Sequence, residues 1–157
     1  MYADNPSAQV EAIFRRIQTE RMADLPLLNP ALAVAAIDFT RRGDHGEEWR
    51  GVLVTPWCID LVLLPAVEDW PVPGPHTRVF RQYASGSFAF LPNHEEGLGA
   101  YLTCPLIHDM KQFGDMETAC MTARACLFAL DLAPGQPAPD PAAPTSSGRR
   151  KFLSLGS

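Results

Sequence analysis

The sequence predicts an α+β fold: an antiparallel five-stranded meander sheet, N- and C-terminal helices packed on one face of it, and a disordered C-terminal tail. Three observations carry this. Residues 51–65, GVLVTPWCIDLVLLP, are apolar or β-branched at nearly every position, as two buried strands require. Segments near both ends of the chain repeat apolar residues at helical spacing. The strand-like runs between them follow one another through short connections, which favours an antiparallel meander. At 157 residues, 46% of them hydrophobic and 20% charged, the chain is long enough to bury an ordinary soluble core.

The first helix starts at Asn5-Pro6, with Asn as N-cap and Pro at the first helical position. Val10, Ile13, Phe14 and Ile17 form its apolar face, and Glu11, Arg15, Arg16 and Glu20 its wet side. It ends by Asp24, because Pro26 disfavours helical geometry at Leu25. A proline-punctuated connection, DLPLLNPAL, leads to strands over 33–40 and 48–55, joined by the polar loop RRGDHGEE. A third strand, 57–64, follows a break at Pro56, which has no backbone N–H to give to a ladder. The loop VEDWPVPGPH holds Trp70 in a largely polar setting. Residues 78–91 read as a fourth strand interrupted at Ser85-Gly86, and 99–107 as a fifth, with Pro105 marking an edge or a bulge. Asp115 caps a second helix with Met116, Ala119, Cys120, Ala123, Leu127 and Leu130 along one face. Residues 1–131 thus form one α+β domain.

Residues 132–157 are a different kind of sequence. LAPGQPAPDPAAPTSS is rich in Pro, Ala and Ser and buries too little to offset its ordering entropy, so it is expected to be an extended, mobile linker. It ends in GRRKFLSLGS, basic and apolar. Three of the 13 basic residues are Arg149, Arg150 and Lys151 and no acid follows Asp140, so the first 147 residues carry −8 and the last ten +3. An acidic body argues against nucleic-acid binding and fits a partner with a basic segment. No apolar run approaches the ~18 residues that span a bilayer, and the polar N-terminus carries no export signal, so a cytoplasmic protein without membrane insertion is expected.

Chemistry is harder to place. Cys58, Cys104, Cys120 and Cys126 form no CxxC pair and match neither a zinc site nor a disulfide framework. His94-Glu95-Glu96 and the His108–Asp109 pair lack the helical spacing of a zinc protease, so no metal site is expected. Cys58 and Cys104, near strand breaks, are the candidates for a redox or nucleophilic role, against the plain alternative of buried packing. No nucleophile elbow, P-loop or dinucleotide fingerprint occurs. A non-enzymatic binding protein without a cofactor is the reading.

Several segments together resemble one family. They are AQVEAIFRRIQTERMADLPLLNP, IDFT, GVLVTPWCIDLVLLP, GLGAYLTCPLI and the terminal GRRKFL, in that order and over about four-fifths of the chain. The chain resembles the HybE/HupJ-type [NiFe]-hydrogenase assembly chaperones. The resemblance implies a cytoplasmic factor that binds hydrogenase small or large subunit precursors. Such a factor delays twin-arginine export until cofactor insertion and subunit assembly are complete. It also implies a rubredoxin-like accessory protein as a further partner, since this chain lacks the paired CxxC ligands of such an iron site. A small redox or metal-handling factor in the same maturation is the alternative, and a plain dimerising module a third.

Under the chaperone reading, Thr55, Pro56, Trp57, Tyr101 and Cys104 are placed near the partner surface. Asp60, Glu68, Asp69, Glu95 and Glu96 are candidate partners for basic residues, with a solvated loop charge as the plain alternative for each. Arg149, Arg150 and Phe152 are the binding residues of the tail. Ser147-Gly148-Arg149-Arg150-Lys151-Phe152-Leu153 resembles the twin-arginine export consensus, yet no apolar run follows it. It therefore reads as a pseudo-ligand for the chain's own precursor site, held by charge-assisted Arg–carboxylate bonds.

Overall fold

The computed structural model describes residues 1–22 and 28–133. In chain order these form α1 (Ser7–Ile17), β1 (Ala35–Arg42), β2 (Glu48–Val54), β3 (Ile59–Pro65), β4 (Val79–Tyr83), β5 (Gly86–Glu95), β6 (Gly99–Ile107) and α2 (Met116–Leu130). A π-helical turn, Gln18–Met22, continues α1, and a 3-10 turn, Met110–Gln112, precedes α2. The end of the first helix near Asp24 and the linker and tail beyond Ala133 lie outside the described residues.

The α+β class, the antiparallel pairing and the two flanking helices are as expected, with three particulars different. The expected fourth strand is two: Tyr83 pairs with Gly86 across Ala84-Ser85, so the interruption is a hairpin turn and the sheet has six described strands rather than five. Their order is β1-β2-β3-β6-β5-β4, two three-stranded meanders joined through β3 and β6 rather than one continuous meander. The helices lie on opposite faces of the sheet, not on one. Val52, Val54, Ile59, Leu61 and Leu63 pack with Ala119, Ala123, Leu127 and Leu130 of α2. Their alternating neighbours Trp49, Leu53, Val62 and Leu64 pack with Val10, Ile13 and Phe14 of α1. Successive strand residues point to opposite faces, so β2 and β3 between two helices must be apolar at almost every position. All seven residues of β2 are buried.

Local chemistry sets each boundary. Asn5 Oδ1 accepts the Ser7 N–H at 2.9 Å and so serves the start of α1 from one position further out than expected, with Pro6 at the cap. Asp115 Oδ1 accepts the Thr118 N–H at 2.7 Å and starts α2 as anticipated. In β1, Asp38 takes φ 53° and two residues face one on β2, a bulge that turns the Phe39 ring flat over Gly51. A Cβ at Gly51 would overlap that ring, so this strand interior requires glycine. Of the edge or bulge expected at Pro105 the structure has the bulge: Ile59 faces Ile107 and Asp60 faces Pro105, leaving Leu106 unpaired. The two outer edges of the sheet differ. Ala36 N–H donates to Glu11 Oε2 at 2.9 Å and Phe39 C=O accepts from Asn5 Nδ2 at 3.3 Å, so side chains from the α1 region occupy the edge of β1. Among the described residues no such hydrogen bond reaches the outer edge of β4.

The α2-side core contains charges. Arg50, 1% exposed, donates from Nη1 and Nη2 to Asp131 Oδ1 and Oδ2 at 3.0 and 2.7 Å, and its guanidinium lies 4.7 Å from the Tyr83 ring centre. Glu48 accepts from Trp70 Nε1 at 3.0 Å and from Arg81 Nε and Nη2 at 3.1 and 2.9 Å. Trp70 is therefore buried against this core and anchors the β3–β4 connection, not set in a polar loop as expected. The hydrogen bonds from Arg50 hold the Asp131 carboxyl below its usual range, with the Arg50 and Arg42 charges adding to this. A depressed carboxylate stabilises the fold above its unfolded pKa of about 3.9, and that contribution disappears as pH falls through the folded value. Asp131→Asn is expected to cost ~2–3 kcal/mol in urea unfolding at neutral pH. That is less than the ~3–5 kcal/mol of a wholly buried pair, because Asp131 is 40% exposed. The loss should shrink as both proteins are titrated below about pH 4; an unchanged midpoint at pH 7 would refute the pair's role.

Candidate partner-binding face

The turn between β2 and β3 is built around one hydroxyl. Thr55, fully buried, donates from Oγ1 to the Cys58 carbonyl at 3.1 Å and accepts the N–H groups of Cys58 and Trp57 at 3.0 and 3.3 Å. The Thr55 N–H donates to the same carbonyl at 2.9 Å, and Pro56 C=O accepts from Asn29 N–H at 3.0 Å. Asn29 in turn donates from Nδ2 to the carbonyls of Met110 and Phe113, each at 2.8 Å, tying the turn to the approach to α2. Thr55 and Pro56 thus point inward and shape the turn, while Trp57 is half-exposed at its tip.

Of the other singled-out residues, Asp60 and Tyr101 lie on the α1 side of the sheet, Asp60 facing Pro105 four residues along β6 from Tyr101, and Cys104 lies among the α2-side core. Burial pushes the Tyr101 hydroxyl well up, and its ring meets Phe14 edge-on at 6.2 Å. Burial also raises the Asp60 carboxyl, with the Cys58 thiol and the His108 charge pulling the other way. Among the described residues no arginine or lysine pairs with Asp60. Glu95, by contrast, is bound by Arg21 at 2.7 Å; Glu68, Asp69 and Glu96 are exposed. The thiol of Cys58 is pushed up to about 12, mainly by burial and then by the Asp60 charge, and burial raises Cys104, Cys120 and Cys126 too. A reactive thiolate needs the opposite environment. Arg149, Arg150 and Phe152 lie outside the described residues.

One surface feature was not singled out from the sequence. α1 covers β1, β2, β3, the β5–β6 turn and the start of β6 at Tyr101, but not the rest of the second meander on the same side. There Phe80 is 62% and Leu91 43% exposed. Phe80 faces Ala89, Leu91 faces Thr103, and Pro105 faces Asp60, so these pairs step across the sheet from the open edge strand to the unpaired carboxyl. At about 4.8 Å per strand the strip is ~15 Å long, apolar at one end and acidic at the other. The signal was in the sequence as the even-odd register of residues 78–91, but reading it required the hairpin at Ala84-Ser85. The grooves around Arg42, Arg50 and Asp131 are lined largely by charges that already pair with one another. The turn is directly testable: Thr55→Val, which keeps the shape and removes the hydroxyl, should lower stability by ~1–3 kcal/mol in chemical denaturation, the range for buried donors left without an acceptor. Thr55→Ser should recover most of the loss.

Comparison with known proteins agrees with this architecture. The profile described as "[NiFe]-hydrogenase assembly, chaperone, HybE" matches residues 5–155. "Probable rubredoxin HupJ" of Rhodobacter capsulatus is 36% identical over 150 residues, 93% of this chain; the chain spans only about half, 53%, of that protein. "Hydrogenase expression/formation protein HupT" of Azotobacter chroococcum is 37% identical over 82% of this chain and 85% of its own. "Hydrogenase-2 operon protein HybE" of Escherichia coli K12 is 32% identical over 69% of this chain and 68% of its own. The solution structure of Escherichia coli HybE superposes with a TM-score of 0.67 at 26% identity, covering 93% of this chain and 87% of that one. With its profile match, its relatives and its fold in agreement, this chain belongs to the HybE family of [NiFe]-hydrogenase assembly chaperones.

Proposed function

We propose that this chaperone binds hydrogenase subunit precursors in the cytoplasm and holds back twin-arginine export until cofactor insertion and subunit assembly are complete. The observation that carries the reading is the uncovered strip from Phe80 and Leu91 to Asp60. A twin-arginine signal is basic and then apolar. Its arginines would meet the Asp60 carboxyl, which no described arginine or lysine pairs with, and its apolar residues would lie over Leu91 and Phe80. Charge-assisted Arg–carboxylate bonds supply orientation, and burial of Phe80 and Leu91, at about 25 cal/mol per Å² of apolar surface, supplies affinity. A bound signal is covered, and a covered signal does not engage an export machinery. Thr55, Pro56 and Asn29 act indirectly, by fixing the turn that places Trp57 and Asp60. A rubredoxin-like accessory protein is a further partner we propose; the description of Rhodobacter capsulatus HupJ, a protein that extends well beyond the match, as a probable rubredoxin supports it.

The test is recovery of a hydrogenase subunit precursor from the cytosol of a hydrogenase-producing host, with the chain as bait. Phe80→Lys and Leu91→Lys, at exposed positions, should leave stability within ~0.5 kcal/mol and cut recovery about tenfold or more. Phe128→Lys, equally exposed but on α2, should leave recovery unchanged. Recovery insensitive to Phe80 and Leu91 would remove this face from the reading.

A further inference from the structure

The chain carries a segment with the chemistry this face lacks. Residues 148–157 are basic and then apolar, and hold +3 of charge against −8 on the first 147. The face offers a carboxyl that no described arginine or lysine pairs with, near only the Cys58 thiol and His108, and an apolar strip with nothing described over it. The geometry also puts the tail's departure point close by. The Ser85 N–H of the β4–β5 turn donates to the Leu130 carbonyl at 3.1 Å, so α2 ends against the hairpin whose strands carry Phe80 and Leu91. The described chain stops at Ala133, and the fifteen or so residues between there and Arg149 reach up to ~50 Å. A domain of this size has a radius of gyration of only ~14 Å. Length therefore excludes no part of the strip.

We propose that the chain's own segment Ser147 to Leu153 docks on this face in cis, with Arg149 and Arg150 at Asp60 and with Phe152 and Leu153 against Leu91 and Phe80. It is a self-ligand that a precursor has to displace. The proposal rests on the precursor-binding face described above. Tethering sets the local concentration of the segment near ~1 mM, so a segment with Kd of ~0.1 mM lowers the apparent affinity for an incoming ligand about tenfold. Such a brake favours a ligand that makes further contacts on the surface over a short basic segment met by chance. It also covers Phe80 and Leu91 while no client is bound.

The experiment compares the full chain, the full chain carrying Arg149→Glu and Arg150→Glu, and a chain ending at Asp140, which retains every described strand and helix. The probe is a fluorescent peptide of residues 145–157 added in trans. It should bind the shortened chain and the charge-reversed chain about tenfold more tightly than the full chain, and Leu91→Lys in the shortened chain should abolish binding. Amide NMR signals of Asp60, Leu91 and Thr103 should differ between the full and charge-reversed chains and coincide between the charge-reversed and shortened ones. Equal probe affinity for all three chains, or no binding to the shortened one, overturns the self-ligand. The precursor itself, measured against the same three chains, separates the two ideas. Binding equally to all three overturns the self-ligand alone, whereas binding to none overturns the precursor-binding face.

Discussion

A hairpin covered on both faces has no water to fall back on for its backbone, and the rest of this protein depends on how β2–β3 meets that constraint. Strand pairing satisfies the flanks, while the connection has to satisfy itself. Thr55 does this with one hydroxyl that both gives and receives, so the chain reverses in a tight turn within the core layer. Asn29 then uses the turn as an anchor for the segment entering β1 and for the one entering α2. The two helices can lie on opposite sides because the layer between them is closed at this end.

The same central layer explains the placement of charge. Glu48 and Arg50 stand on the α2 side of a strand in which every residue is buried, and each is held by an opposite charge from a distant part of the chain. Arg50 reaches the end of α2 and Glu48 reaches β4 and Trp70. These contacts add less stability than their geometry suggests, because two charges leave water for each pair. Their larger effect is on register: a strand shifted by one residue would turn both charges to the α1 side, away from Asp131, Trp70 and Arg81.

Much of the fold was legible in the sequence because single residues carried it. The apolar face of α1, the Asp115 cap, the bulge at Pro105 and the break at Pro56 each follow from one local rule. What was not legible depended on a count or a partner. Ala84-Ser85 has none of the Asn-Gly or Asp-Gly signature of a two-residue turn, so two strands read as one. That fusion hid the register of Phe80 and Leu91. Residues 51–65 read as two buried strands beneath helices on one face, and only the packing of Val62 and Leu64 against α1 reveals the second layer. Trp70 looked solvated because Glu48, which receives its N–H, lies 22 positions away. Family membership, in contrast, was legible, since it rests on ordered segments rather than on contacts.

The unequal edges of the sheet set how far it can grow. Side chains from the α1 region occupy backbone groups of β1 that a neighbouring strand would need, whereas among the described residues nothing hydrogen-bonds to the outer row of β4. Repeating head-to-tail polymerisation needs two complementary open sides, and the sheet of the described residues presents one. Backbone pairing at β4 therefore ends with a single added strand, from another chain or from one second copy related by a two-fold axis. Open-ended growth by strand addition, the route to a fibre, is thereby closed to the described sheet.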